Sequence, residues 1–348
     1  MKKHLNVKST TESTRARGIS LDPTPPEVFF DRRQFVGALA ASGFGIAAGL
    51  SSPAGAQPSP IQVPFERPDV FPAKRNEAYA APPAGVPKDL TVREIAASHN
   101  NFYEFLPGRG GPVVNYIQGF EVQPWKIEVS GECNNPMTLD LDDLFAFEHE
   151  ERVYHFRCVE RWSMNVPWSG FPLKKLIEKA DPKSSAKYVR FETLNRPEQM
   201  PGITSNDGKH YPWPYFEALR MDESMHDLAF AVTGAYGDPL LKQHGAPIRI
   251  AVPWKYGYKN PKSIAKIEFV KDEPNTFWQV QPHEYGFLSN VNPNIPHPRW
   301  SQATSFWLGT EDSFDTPLFN GYAEQVAGLY PDEPMKPQKP LRPGQRAR

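Results

Sequence analysis

Proline sets the limits of this fold: 38 of the 348 residues are Pro, spread along the whole chain. Each fixes φ near about −65° and lacks an N–H, which rules out long helices and favours short strands, turns and loops. The hydrophobic pattern agrees. Residues 125–130 (WKIEVS) alternate as a half-buried strand closed by Gly131, and 188–193 (YVRFET), 228–233, 248–252 (IRIAV) and 264–270 (IAKIEFV) read as further strands. Helical signals are brief: residues 91–98, an aspartate-capped 140–147 (DLDDLFAF), and a segment from Leu173 with Leu176 and Ile177 on one face. Short strands with helices between them and no βαβ rhythm predict an α+β fold with mixed β-sheets and short helices. No Gly-rich phosphate loop follows any strand, which excludes Rossmann and P-loop nucleotide sites.

The chain divides into four stretches. Residues 1–56 read as an export address. A basic leader runs to Arg32-Arg33-Gln34-Phe35, a Gly/Ala-rich apolar run follows over 36–50, and Ala54-Gly55-Ala56 offers a cleavage site. The apolar run is shorter than a membrane helix needs, so no transmembrane segment is expected once the leader is removed. Twin-arginine export carries folded proteins and places the mature chain in the periplasm, and folding before export points to a prosthetic group. Residues 57–90 form a Pro-rich extended segment, 91–330 the main folded domain, and 331–348 a basic, Pro-rich tail expected to be disordered.

Chemistry concentrates around 153–172 (VYHFRCVERWSMNVPWSGFP). Residues 153–157 read as a strand that delivers Cys158 into a loop, where Arg157 and Arg161 are expected to favour the thiolate over the thiol. A buried structural thiol, or a disulfide with Cys133, fits the same residue types. Two cysteines lack zinc or redox spacing, and nine scattered histidines contain no metal-binding helical pair. A formal net charge of −1 leaves no basic field for nucleic acid. A second candidate is the 249–262 connection, where Arg249, Lys255, Lys259 and Lys262 alternate with Trp254, Tyr256 and Tyr258. Four cations on one Gly- and Pro-punctuated loop suit a phosphate clamp. A third is 100–105 (NNFYEF), which fits either the wall of a polar-ligand cleft or an Asn-capped turn.

Together with 188–202 (YVRFETLNRPEQMPG), 245–264 (GAPIRIAVPWKYGYKNPKSI), 297–304 (HPRWSQAT) and 319–327 (FNGYAEQVA), these stretches resemble the molybdenum enzymes of the sulfite-oxidase fold. The likeness is to the branch of exported bacterial protein-methionine-sulfoxide reductases. The resemblance implies a Mo-molybdopterin cofactor with Cys158 as its protein thiolate ligand and catalytic centre. It implies pterin and phosphate contacts from Asn100, Tyr103, Glu104, Thr193, His244, Arg249, Asn260, Pro261 and Lys262. His244 stands where the family often has asparagine, and Asp31 stands before the twin arginines where Ser or Thr is usual. Cys133 has no role in the pattern. The implied reaction is oxygen-atom transfer from methionine sulfoxide residues of oxidised periplasmic proteins, with Trp162, Trp168 and Trp254 as candidates for an apolar entrance. The chain has no C-x-x-C-H, so electrons are expected from a haem-containing membrane subunit. Rival readings are a sulfite-oxidase-like enzyme acting on a small oxyanion, a thiol-based reductase, and a metal-free binding module.

Overall fold

The computed structural model describes residues 59–106, 112–310 and 312–347; the leader expected over 1–56 lies outside them. Thirteen strands occur among these residues: β1 Lys74–Arg75, β2 Ile127–Gly131, β3 Met137–Leu139, β4 Glu150–Arg157, β5 Trp162–Pro172, β6 Tyr188–Thr193, β7 Phe216–Arg220, β8 Phe230–Ala235, β9 Asp238–Pro239, β10 Arg249–Ala251, β11 Ile264–Val270, β12 Thr304–Trp307 and β13 Ser313–Asp315. They form two mixed sheets. The larger runs β1-β4-β5-β12-β13, with β8 also on β5 and carrying β9 and β10; the smaller runs β3-β2-β11-β6-β7. The helices α1 (Arg93–Ser98), α2 (Leu141–Phe145) and α3 (Leu173–Ala180) are short. The α+β architecture expected from proline content and strand alternation is therefore the one observed. No helix among the described residues is long and apolar enough to cross a membrane.

Local rules account for several of these elements. Asp140 caps α2 by accepting from the Asp143 amide, while Asp143 returns a bond to the Asp140 amide. In α3, Leu173, Leu176, Ile177 and Ala180 fall on one buried stripe, and the helix stops at Asp181, whose φ is +50°. Strands β6 and β11 pair antiparallel with buried residues alternating along β6, as their sequence predicts.

The residues after Cys158 hold a strand that the sequence reading left unassigned. β4 and β5 form an antiparallel hairpin with Arg157 opposite Ser163 and Glu150 opposite Gly170. Its four-residue tip, 158–161, is closed by Arg161 N donating to Cys158 O at 2.9 Å and Cys158 N to Trp162 O at 2.9 Å, with Arg161 at φ +81°. Proline and glycine hid this strand. On the other edge of β5, β12 covers Trp162–Ser163 and β8 covers Trp168–Pro172; Pro167, with no N–H to donate, falls between them. Gly170 lies so close to β8 that an added Cβ would stand 2.0 Å from Ala231 O, so no side chain fits.

The Pro-rich segment is tied to the body: β1 pairs parallel with β4, Arg93 and Arg67 reach Asp238, and Gln243 donates to Pro60 O at 2.6 Å. Beyond Tyr330, the Glu333 carboxylate accepts from Asn290 and Asn292, each at 2.9 Å, and Gln338 N donates to Asn294 O.

Two lysines expected on a phosphate clamp are structural instead. Lys255 is fully buried and spends its donors on Glu223 (2.7 Å), Leu288 O (2.7 Å) and Asn290 Oδ1 (2.9 Å). Lys259, equally buried, holds Glu217 (2.7 Å) and Ala218 O. Burial pulls the Lys255 ammonium down to about 8. Burial alone would raise Glu223, but Lys255 and Tyr330 outweigh it and hold the carboxyl below its ordinary value, so the pair is ionised at neutral pH. Removing one partner of a buried pair strands the other charge, at about 3–5 kcal/mol. Lys255→Ala is accordingly expected to lower the thermal midpoint by on the order of 10 °C, and Lys255→Met with Glu223→Leu to recover most of it, as read by calorimetry.

Candidate active site

One cleft of about 1030 Å³, mouth included, gathers every residue singled out as a cofactor contact. The chain after α1 supplies Asn100, Tyr103 and Glu104, the hairpin tip supplies Cys158, and the end of β6 supplies Thr193. His244, Arg249 at the start of β10, and Asn260, Pro261 and Lys262 before β11 complete that set. A lining drawn from so many separate segments suits a ligand larger than an ion.

Cys158 and Cys133 are both free and buried, so no disulfide joins them. Burial, reinforced by the Glu160 charge, pushes the Cys158 thiol well above its ordinary value. The expectation that Arg157 and Arg161 make it a thiolate is corrected here. Arg157 Nε donates to Ser305 Oγ (2.8 Å), Nη1 to Cys158 O (3.0 Å) and Gln302 Oε1 (2.6 Å), and Nη2 to Gln302 O (3.3 Å) and Thr304 O (3.2 Å). Arg161 turns onto Thr304 O and Oγ1. Both guanidinium groups lock the hairpin to β12 rather than contacting the sulfur. Among the described residues no three His, Cys, Asp or Glu side chains cluster as a ligand set. A lone thiol deep in a cleft is the donor expected for a metal that arrives already held by another ligand.

Arg249 lines another part of the same cleft. It is 7% exposed, and its guanidinium finds only the carbonyls of Ile250 (3.5 Å), His244 (3.1 Å) and Asn260 (3.4 Å), with Phe156 and Trp168 against its faces. No carboxylate pairs with it among the described residues, and burial alone lowers it to about 10. Lys262, half-buried, donates to Asn101 O at 2.8 Å. Burial and then the neighbouring Arg249 charge pull its ammonium down, and burial raises the carboxyl of Glu104. Two neighbouring cations with no acid in salt-bridge contact among the described residues suit an anion such as a phosphate.

The remaining polar groups are divided between scaffold and cleft. Asn260 is consumed by the loop it sits in, accepting from Val252 N (2.6 Å) and donating to Tyr256 O (3.0 Å). Thr193 donates to Lys262 O (2.9 Å), and both amide hydrogens of Asn100 go to Ala96 O and Ala97 O. His244 Nε2 donates to Ala96 O at 3.2 Å, and burial lowers the imidazole to about 3, so it is neutral with Nδ1 as the bare acceptor. That Nδ1 and the neighbouring Trp168 Nε1 are buried without partners, one acceptor and one donor on the cleft wall. A heterocycle with both kinds of edge satisfies them; the residues present therefore fit a phosphorylated pterin.

Glu160, Tyr215 and Trp278 also line the cleft although the sequence assigned them no contact, and Asn101 was covered only by the 100–105 cleft-wall reading. Asn101 Nδ2 lies 3.7 Å from Cys158 Sγ and 3.0 Å from Glu160 Oε2; Glu160 Oε2 is 3.8 Å from the sulfur and accepts from Trp162 Nε1 at 3.1 Å. Tyr215 and Trp278 extend the wall, Trp278 packing edge-on to Tyr103 at 4.8 Å. The pairing of Asn101 with Asn100, and Glu160 two residues past Cys158, were the available signals. Of the three tryptophans proposed for an entrance, Trp162 and Trp168 line the cleft; Trp254 is core, its Nε1 on Tyr330 Oη at 2.8 Å.

Comparison with known proteins agrees with this chemistry. Residues 113–278 match the family model described as the oxidoreductase molybdopterin binding domain. The chain is a molybdopterin-binding oxidoreductase. It is 45% identical over 317 residues, 88% of this chain and 91% of the other, to the protein-methionine-sulfoxide reductase catalytic subunit MsrP of Burkholderia mallei (strain ATCC 23344). The chain belongs to that family of reductase catalytic subunits. Among solved structures, the sulfane dehydrogenase SoxCD of Paracoccus pantotrophus overlaps with a TM-score of 0.41 at 18% identity. That overlap spans 67% of this chain and 57% of the other and is too loose to transfer residues.

Proposed function

We propose that this chain is a periplasmic reductase that removes oxygen from methionine sulfoxide residues of oxidised proteins. In this reading it is exported by its twin-arginine leader, holds molybdenum through Cys158, and draws electrons from a haem-containing membrane subunit. The observation that carries it is the pairing, in one cleft, of a lone buried thiol with a buried Arg249 that pairs with no acid among the described residues. The overall conversion takes a sulfoxide, two electrons and two protons to a thioether and water. When bound, the cofactor supplies two-electron oxygen-transfer chemistry at a thiolate-ligated metal.

The residues of the chain divide the remaining work. Cys158, fixed by the hairpin closure, presents a soft donor; Asn101 aims an N–H at that sulfur and tempers its electron donation once it is a thiolate. Arg249 and Lys262 neutralise the phosphate end. Trp162 and Met164 give the cleft an apolar flank near the sulfur, matched to a methionine side chain rather than to a small ion.

Molybdenum-loaded enzyme given reduced viologen and methionine-sulfoxide-containing casein is expected to oxidise the dye at the rate at which methionine is regained, measured by mass spectrometry. Sulfite with an oxidant is expected to give at least about a hundredfold lower kcat/KM, about 2.7 kcal/mol of discrimination. Sulfite turnover without sulfoxide turnover would reverse the assignment.

A further inference from the structure

The charges lining the cleft are distributed unevenly. Arg249 and Lys262 make one end cationic. Beside the sulfur a carboxylate, Glu160, joins the guanidinium of Arg157. All five N–H donors of Arg157 are spent on Ser305, Cys158 O, Gln302 and Thr304, so none is left for an incoming oxyanion. Arg161 is held on Thr304 and does not line the cleft. The Glu160 carboxylate lies 3.8 Å from Sγ. Its two side-chain donors, Asn101 Nδ2 at 3.0 Å and Trp162 Nε1 at 3.1 Å, are both neutral, and no cation pairs with it among the described residues. The carboxylate is thus fixed in place by neutral donors.

We propose that Glu160 is a specificity residue: its carboxylate keeps small oxyanions away from the sulfur end of the cleft while admitting neutral sulfoxides. This rests on the sulfoxide-reductase reading above. A dianion brought within a few ångströms of a fixed carboxylate, in a cleft where water screens poorly, meets like-charge repulsion that a sulfoxide dipole does not. The distinction therefore comes from rejecting the wrong substrate as well as from holding the right one.

Glu160→Gln removes the charge and keeps an amide oxygen to accept from Asn101 and Trp162. Equilibrium dialysis of molybdenum-loaded enzyme with radiolabelled sulfate is expected to show binding about 30-fold tighter in Glu160→Gln than in wild type. Glu160→Asp, which retains the charge, is expected to stay within about threefold of wild type, the scatter of conservative changes. Sulfite is expected to become a competitive inhibitor of sulfoxide reduction in the Gln variant. Unchanged sulfate affinity in Glu160→Gln at wild-type metal content overturns the proposal, as does tightening of equal size in Glu160→Asp. Should Glu160→Gln not load metal, Glu160→Ala, which removes the same charge, is dialysed in its place; tighter sulfate there supports the proposal and unchanged sulfate overturns it. Dialysis needs no turnover, so a wild-type enzyme inactive on sulfoxides would refute the function without deciding the anion result.

Discussion

Cys158→Ser is expected to reduce molybdenum to below about a tenth of an atom per chain and sulfoxide reduction by at least about a hundredfold, the upper range for losing even a supporting group of a metal site. The physical basis is donor type. A serine hydroxyl is hard and gives its proton up far less readily than a thiol, whereas the residue at the hairpin tip must bind as a soft anion. The fold should be indifferent: the closing bonds at 158 are backbone bonds, from Cys158 N to Trp162 O and from Arg161 N to Cys158 O, and serine preserves both. Metal analysis, activity and a melting curve on one preparation separate these effects. A melting point of the metal-free protein unchanged within about 2 °C, with metal and activity gone, is the pattern of a ligand rather than of a core residue.

Arg249→Met should produce opposite changes in two quantities. In metal-free protein the buried guanidinium is held only by carbonyls, and exchanging an uncompensated buried charge for an apolar side chain of similar length is stabilising by about 1–4 kcal/mol. The melting point of Mo-starved protein is therefore expected to rise by roughly 2–8 °C, while cofactor loading in replete cells falls on the order of a hundredfold, the cost of about 3 kcal/mol of lost anion binding. Differential scanning fluorimetry and metal content test the two halves. A lower melting point of the metal-free variant would make Arg249 a structural residue. Sites that bind are commonly held at some expense of stability, and here the expense has a named atom group.

Much of the scaffold was readable because it obeys local rules. β6 and β11 occupy the residues that alternation assigned to them, and α2 begins at its aspartate cap. Cys158 was legible as the residue just past a strand. β5 was not, since Pro167 and Gly170 argue against a strand unless the positions of β8 and β12 are known. The charges were misread for a related reason. Lys255 and Lys259 look like a clamp until Glu223 and Glu217, 32 and 42 residues away, claim them. Arg157 and Arg161 look like thiolate activators until Thr304, over 140 residues on, takes them. Asn101 reaches Glu160 across 59 residues, a contact no spacing rule anticipates. Sequence shows which residue types carry charge; partners that neutralise or redirect it come from the distant chain.

At the centre of this account is a bond between the Cys158 sulfur and a pterin-held metal. X-ray absorption at the molybdenum edge of the purified wild-type enzyme measures it most directly. The account predicts one sulfur neighbour more than the pterin dithiolene supplies; a sulfur count met by the dithiolene alone would contradict it.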